Sequence, residues 1–399
     1  MNIPYSFQAP CPHSAGHQLV NDLSSRRNIQ VYGGGESCLE YCTRKGRGSL
    51  ASVSCASLAT RSAFRKQARM PRVGYSSPCD PATRSKALGD DAPEELSRCW
   101  DCFDPLPKAR RDDWLADGNP GEKDRGGQTF KRFTTPGPHR TFPTRTRPRV
   151  YLMPIGDVGR APPIEVLCDI LQRFLMLEVV ALRPPSSKAV AALTREPKGC
   201  GYGPQIETPG AFDLCFRSKP KDAFAIVSYT MEDICDTLKG FQFLFGQAEL
   251  DKCVGVFSFA RYAEDGPSAA RFLRRCAMVL CHEALHLFGV RHCVYAKCIM
   301  NGSNHLDESE SRPFATCPCC TRKLGCTLDQ AALRSEQLKG PSPFRSTARD
   351  IALLEFFKRY ELNEDAEFMR RCIQCKTGQA KDLEGEAQRA GTDDSRRNS

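Results

Sequence analysis

The sequence predicts an α/β fold over residues 148–375, on three observations. Short β-branched and aromatic runs begin at Arg149, helical periodicity separates several of them, and a long helix ends the strand-rich part before a mainly helical remainder.

"RVYLMPIG" reads as the first strand. In residues 164–177, "IEVLCDILQRFLML", Ile164, Leu167, Leu171, Phe174 and Leu175 share one helical stripe, and "EVVAL" follows as a strand. "AFAIVSYT" (223–230), "FQFLFG" (241–246) and "CVGVFSFARY" (253–262) are further short runs bounded by turn or polar residues. Strands with interspersed helices predict an α/β sandwich around one sheet. "DGPSAARFLRRCAMVLCHEALHLF" starts as a helix at Pro267 and Ser268 and stops at Gly289. Further on, Thr347 and Asp350 in "TARD" make a capping-box pattern ahead of "IALLEFFKRY".

The flanks read differently. Residues 1–147 are broken repeatedly by turn formers and lack periodicity, so a disordered or accessory basic extension is expected. The net charge of +10 is weighted toward it: through Cys79 there are ten Lys or Arg against three acids, which reads as a solvated tail. Residues 148–290 hold the sheet and the long helix, 291–375 a second subdomain, and 376–399 a polar tail. The opening residues contain no apolar run that could serve as a signal-peptide core, and no stretch approaches the ~18–20 apolar residues of a membrane span. The expectation is therefore an intracellular, cytoplasmic protein. The acid-poor amino terminus, with its Arg and Ser, makes organelle targeting the alternative.

Twenty-two cysteines in a reducing compartment point toward metal more than disulfides. The densest stretch is "CHEALHLFGVRHCVYAKCIM" (281–300). On a helix, His282 and His286 lie within about 40° of each other, while Ala277, Leu280, Ala284, Leu287 and Phe288 form a separate stripe. One face can pack on the sheet while the other offers two imidazoles. Gly289 lets the chain turn back, so His292 can supply a third. Three protein ligands with an open position suit a zinc that activates water, and Glu283 beside the first ligand is placed to act as general base in peptide hydrolysis. The whole pattern HExxHxxGxxH is far more specific than HExxH alone.

The cysteines suggest a second ion. Cys293 and Cys298 form one short-spaced pair, Cys317 and Cys320 another, and together they fit a closed structural zinc. Cys319 is a less suitable substitute. Cys281, Cys326 and the "CIQC" pair Cys372 and Cys375 read as ordinary thiols, although whether the last pair binds metal is not decided by spacing. Cys38, Cys42, Cys99 and Cys102 could be assembled into a knuckle, but unpaired thiols in a flexible extension are the expected reading.

HExxHxxGxxHC, followed by CxxxxC, Met300 and a CPxC pair, resembles the archaemetzincins, a branch of the metzincin-type zinc peptidases. "VYLMPIGDV", "DAFAIVSYTMEDI" and "GVFSFARY" extend the resemblance, which covers roughly residues 149–360. It implies a metzincin-like α/β domain with a mixed twisted sheet and an active-site helix, plus a helical C-terminal subdomain holding a four-cysteine zinc. It further implies that His282, His286 and His292 hold the catalytic zinc, that Glu283 is the base, that Met300 forms the turn beneath the metal, and that Cys293, Cys298, Cys317 and Cys320 hold the second zinc. "GVFSFARY" would be the rim strand along which a peptide adds.

The expected activity is zinc-dependent hydrolysis of peptide or protein substrates. The competing reading is a catalytically weak or non-enzymatic zinc module that binds peptide or nucleic acid. Glu283 favours hydrolysis, because a structural histidine site has no use for a carboxylate beside its first ligand. Nucleic acid is not the expected partner, since no basic strand is interleaved with aromatics.

Overall fold

The computed structural model describes residues 29–32, 81–106, 127–135, 142–197, 202–263, 265–303, 306–333 and 344–378. Its strands are β1 (Ile29–Tyr32), β2 (Arg149–Pro154), β3 (Val179–Ala181), β4 (Thr194–Arg195), β5 (Gln205–Glu207), β6 (Ala223–Thr230), β7 (Asp233–Asp236), β8 (Phe241–Leu244), β9 (Gly246–Glu249) and β10 (Val254–Ser258). The helices are α1 (Pro81–Leu88), α2 (Glu94–Arg98), α3 (Phe130–Thr134), α4 (Ile164–Leu175), α5 (Ser187–Ala191), α6 (Thr208–Arg217), α7 (Ala269–Leu287), α8 (Leu306–Glu310), α9 (Pro318–Leu333), α10 (Ser346–Arg359) and α11 (Asn363–Thr377).

The fold is mixed α/β, with two sheets where the sequence predicts one. The larger has the order β1-β9-β10-β6-β2-β3 and the smaller β4-β5-β7-β8. In the larger sheet β3, β2, β6 and β10 run parallel, while β9 is antiparallel to both β10 and β1. "FQFLFG" divides between the two: Leu244 pairs with Ile234 in the smaller sheet, whereas Gly246 pairs with Phe257 in the larger. A continuous apolar run gives no sign of such a crossing.

Alternation along the strands sorts the core. Val150, Leu152, Val227, Tyr229 and Phe257 face one cluster, shared with α4 and α7. Tyr151, Met153, Ile226, Val254 and Val256 face the other, shared with Phe212 and Cys215 of α6. Because both faces are covered, all eight residues of β6 are buried, which is why it carries no charged residue and is mainly apolar, Ser228 and Thr230 being the polar exceptions.

Three expectations need correction. First, "GVFSFARY" is not a rim strand: β10 lies inside the sheet between β6 and β9, and β9 itself carries β1 on its outer side. Second, a disordered or accessory segment through residue 147 does not describe residues 81–106 and 127–135. Leu88, Trp100, Phe103 and Phe133 belong to the large core cluster. Arg322 of α9 donates to the carbonyls of Leu88 at 2.5 Å and Asp91 at 3.1 Å, closing the end of α1. These elements are too short to show periodicity, and they bond to residues from 161 to 278 positions later. Cys38 and Cys42 lie outside the described residues.

Third, Asp350 does not cap α10. The N-cap is Arg345 without a side-chain cap, and Asp350 instead accepts from buried Lys376 Nζ at 2.6 Å. The neighbouring Arg349, 1% exposed, donates to the Phe174 carbonyl at 2.7 Å and so satisfies the end of α4. No helix among the described residues is long and apolar enough to cross a membrane.

Candidate active site

Helix α7 begins where Ser268 Oγ accepts the Arg271 amide at 3.3 Å. It packs through Ala277, Leu280, Ala284, Leu287 and Phe288 on the large core. It ends in a Schellman turn: the Gly289 amide donates to the His286 carbonyl at 2.8 Å and the Val290 amide to Leu285 at 3.3 Å. Gly289 makes this turn at a φ of 79°, which a side chain would resist.

The same turn orients the second histidine, because the Val290 carbonyl lies 2.6 Å from His286 Nδ1. The Ile299 carbonyl lies 2.6 Å from His282 Nδ1. A carbonyl can only accept, so both rings carry their proton on Nδ1. The Nε2 lone pairs then face one another at 3.0 Å. The His292 ring centroid is 5.3 Å from that of His282 and 5.0 Å from that of His286, and the three rings bring ligand nitrogens within 4.8 Å of one another.

Glu283 is 3% exposed. Its Oε1 lies 4.0 Å from His282 Nε2, and its Oε2 is buried with no hydrogen-bond partner. Room for it comes partly from Gly246 of β9, where an added Cβ would meet the Phe257 ring at 2.5 Å and come within 3.6 Å of the Glu283 carboxyl carbon. Burial, and then the Arg312 guanidinium, hold His282 down to about 3. Burial likewise holds His286 and His292 well below the usual imidazole range. It also pushes Glu283 well up, against the pull of Arg312. Three neutral imidazoles with facing lone pairs and an orphaned buried carboxyl oxygen make a donor set that fits zinc, the borderline-soft ion such ligands prefer.

A second cluster begins at Cys293, the residue after His292. The sulfurs of Cys293, Cys298, Cys317 and Cys320 are all within 4.8 Å of one another, and Cys293 Sγ is 3.6 Å from Cys317 Sγ. Cys317 immediately precedes α9 and Cys320 sits in its first turn, where the helix dipole favours thiolates. Cys319 points elsewhere, donating to the Ala87 carbonyl at 3.3 Å. Lys323, one turn on, is fully buried with no hydrogen-bond partner for Nζ. Burial alone would push its ammonium down, but the charge of Cys319, Cys320, Cys293 and Cys317 more than reverses this. A buried cation beside four thiols fits a site that carries net negative charge.

Three polar residues tie the loop after α7 and have no motif to announce them. Gln128 donates to the Gly289 carbonyl and accepts from the Arg291 amide, both at 3.0 Å, clamping the turn from the amino-terminal side. Asn301 donates to the carbonyls of Cys293 (2.7 Å) and Ala296 (2.9 Å) and accepts from the Cys298 amide at 2.8 Å. Arg312 donates to the Asn301 carbonyl and is 7% exposed. The only available signal is polar residues inside an otherwise buried segment. Met300 is fully buried, and its carbonyl accepts the Cys293 amide at 2.7 Å.

Residues 219–325 match the family model described as Peptidase family M54. Archaemetzincin-2 of Macaca fascicularis is 31% identical over 263 residues, covering 57% of this chain and 71% of that protein. Archaemetzincin-1 of Homo sapiens is 28% identical over 247 residues, covering 53% and 48%. A solved archaemetzincin from Methanopyrus kandleri is 25% identical, covers 47% of this chain and 98% of its own, and has a TM-score of 0.37. On identity above 30% across more than two thirds of archaemetzincin-2, this chain belongs to the archaemetzincin family and is a zinc metallopeptidase, a hydrolase.

Proposed function

We propose that the chain hydrolyses peptide bonds at a zinc held by His282, His286 and His292, with Glu283 as general base, and that a second, structural zinc is held by Cys293, Cys298, Cys317 and Cys320. The observation that carries this reading is the facing of two histidine Nε2 atoms at 3.0 Å beside the orphaned Glu283 Oε2. When bound there, zinc supplies Lewis acidity, acidifying water and polarising the scissile carbonyl.

The chain's own residues do the rest. Glu283 takes the proton of the attacking water and delivers it to the leaving amine nitrogen. Burial raises its affinity for a proton, and the Arg312 charge opposes that rise in part. The carbonyls of Ile299 and Val290 lock the ring orientations of His282 and His286 and raise their basicity as ligands. The four-cysteine site fixes the loop that supplies the Ile299 carbonyl, and its residues are structural and not reactive.

The test is cleavage of a mixed peptide library by the purified chain, followed by chelation and readdition of zinc. Cleavage that disappears with the chelator and returns with zinc supports the proposal. Cleavage untouched by complete zinc removal would rule it out.

A further inference from the structure

Two CxxC pairs that neither of these sites uses face one another. Cys99 and Cys102 bracket a 3-10 turn, in which residues three apart eclipse, so both thiols leave on one side. Cys372 and Cys375 stand three apart on α11, again on one face. The sulfurs of Cys99, Cys102 and Cys372 are all within 4.8 Å of one another, and Cys375 Sγ lies 3.2 Å from Cys102 Sγ. Cys99, Cys102 and Cys372 are buried, and Cys375 is half-buried.

We propose that Cys99, Cys102, Cys372 and Cys375 form a third zinc site, which staples the amino-terminal segment to the last helix. With Zn–S bonds of ~2.3 Å, the sulfurs of a tetrahedral site stand about 3.8 Å apart, a spacing that Cys99, Cys102 and Cys372 can meet within their 4.8 Å, while Cys375, 3.2 Å from Cys102, is the fourth donor at hand. Three sulfurs this close leave space for one ion and none for the inorganic sulfide of an iron–sulfur cluster. All four are free thiols, and the 3.2 Å between Cys102 and Cys375 is well beyond the ~2.04 Å of a disulfide. Two CxxC pairs brought together from distant parts of a chain are also a far more specific arrangement than either alone.

The surroundings give the staple a purpose. Arg98 donates to the Lys376 carbonyl at 2.8 Å, and the rings of Phe103 and Phe368 meet edge to face at 5.1 Å. Cys102 and Cys375 are 273 residues apart in sequence. Closing so long a loop costs entropy, and a metal shared by both ends would offset it together with these contacts. The clamped segment is the one whose continuation supplies Gln128 to the Gly289 turn.

The full chain, purified under reducing conditions, is compared with the Cys372→Ser/Cys375→Ser variant for zinc per chain by mass spectrometry. The readout is the difference, expected to be one zinc, so it does not depend on whether the two sites proposed above are right. If the double variant fails to fold, Cys375→Ser alone is compared with the wild type, and one zinc is expected to pass to a chelator more readily from the variant, equal release from the two overturning the proposal. Cobalt substitution of the wild type adds a spectroscopic check, because thiolate-to-cobalt absorption from two four-sulfur sites is roughly twice that from one. Equal zinc in wild type and the folded double variant, iron in place of zinc, or peptide mapping that finds these cysteines joined in a disulfide would each overturn the proposal.

Discussion

Glu283→Ala should lower kcat for peptide cleavage by about 10^2–10^4-fold, the usual contribution of a positioned general base, while leaving the zinc content unchanged. The two halves of this expectation separate chemistry from structure. Glu283 Oε2 has no hydrogen-bond partner, so its removal breaks no internal bond at that atom. The histidine rings are held by the carbonyls of Ile299 and Val290, not by the carboxylate. Removing a buried carboxyl from the metal-free protein should if anything ease folding, because burial opposes its charge. Glu283→Gln, which preserves volume, should show the same loss. A variant that keeps more than about a tenth of wild-type kcat would reassign the base, since general base catalysis at this level is worth at least about 10^2.

Replacing Cys317 and Cys320 together by Ser should remove the zinc proposed for the four cysteines and also weaken the histidine site, by about 10–100-fold in zinc affinity, as expected when an outer hydrogen bond to a ligand is disturbed. The path is short. Cys298 precedes Ile299, whose carbonyl holds His282, and Cys293 follows His292 directly. The Ile299 amide in turn donates to the Ala315 carbonyl at 2.9 Å, two residues before Cys317. Cys319→Ser is the control: its thiol bonds Ala87, so both zincs should remain. Competition with a chromogenic chelator measures the effect. Normal catalytic-zinc affinity in a double variant that has lost its structural zinc would show that the two sites act independently.

The parts of this molecule that are legible from the sequence are those encoded over short distances. HExxHxxGxxH places three histidines and a glutamate on one helix and its turn, so helical geometry and one glycine bring them together, and the structure gathers His282, His286 and His292 with Glu283 beside them. The two short-spaced cysteine pairs after it are gathered for the same reason, and "CPCC" is resolved only by α1, which takes Cys319. What cannot be read depends on partners far away. The second sheet needs β5 to meet β7, and the place of β10 inside the larger sheet depends on β9 covering its flank. Trp100 and Phe133 look like isolated aromatics in a broken segment until the helices after Pro318 supply the other half of their environment. The "TARD" motif misleads because Asp350 has a stronger partner in Lys376, a buried ammonium no local pattern could reveal.

Anomalous diffraction at the zinc edge, from crystals of protein already shown to cleave peptides, would locate the metal in the active enzyme. One peak is expected among the Nε2 atoms of His282 and His286 and the His292 ring, and another among the sulfurs of Cys293, Cys298, Cys317 and Cys320. An active protein with no zinc at the histidines would contradict hydrolysis at a histidine-held zinc.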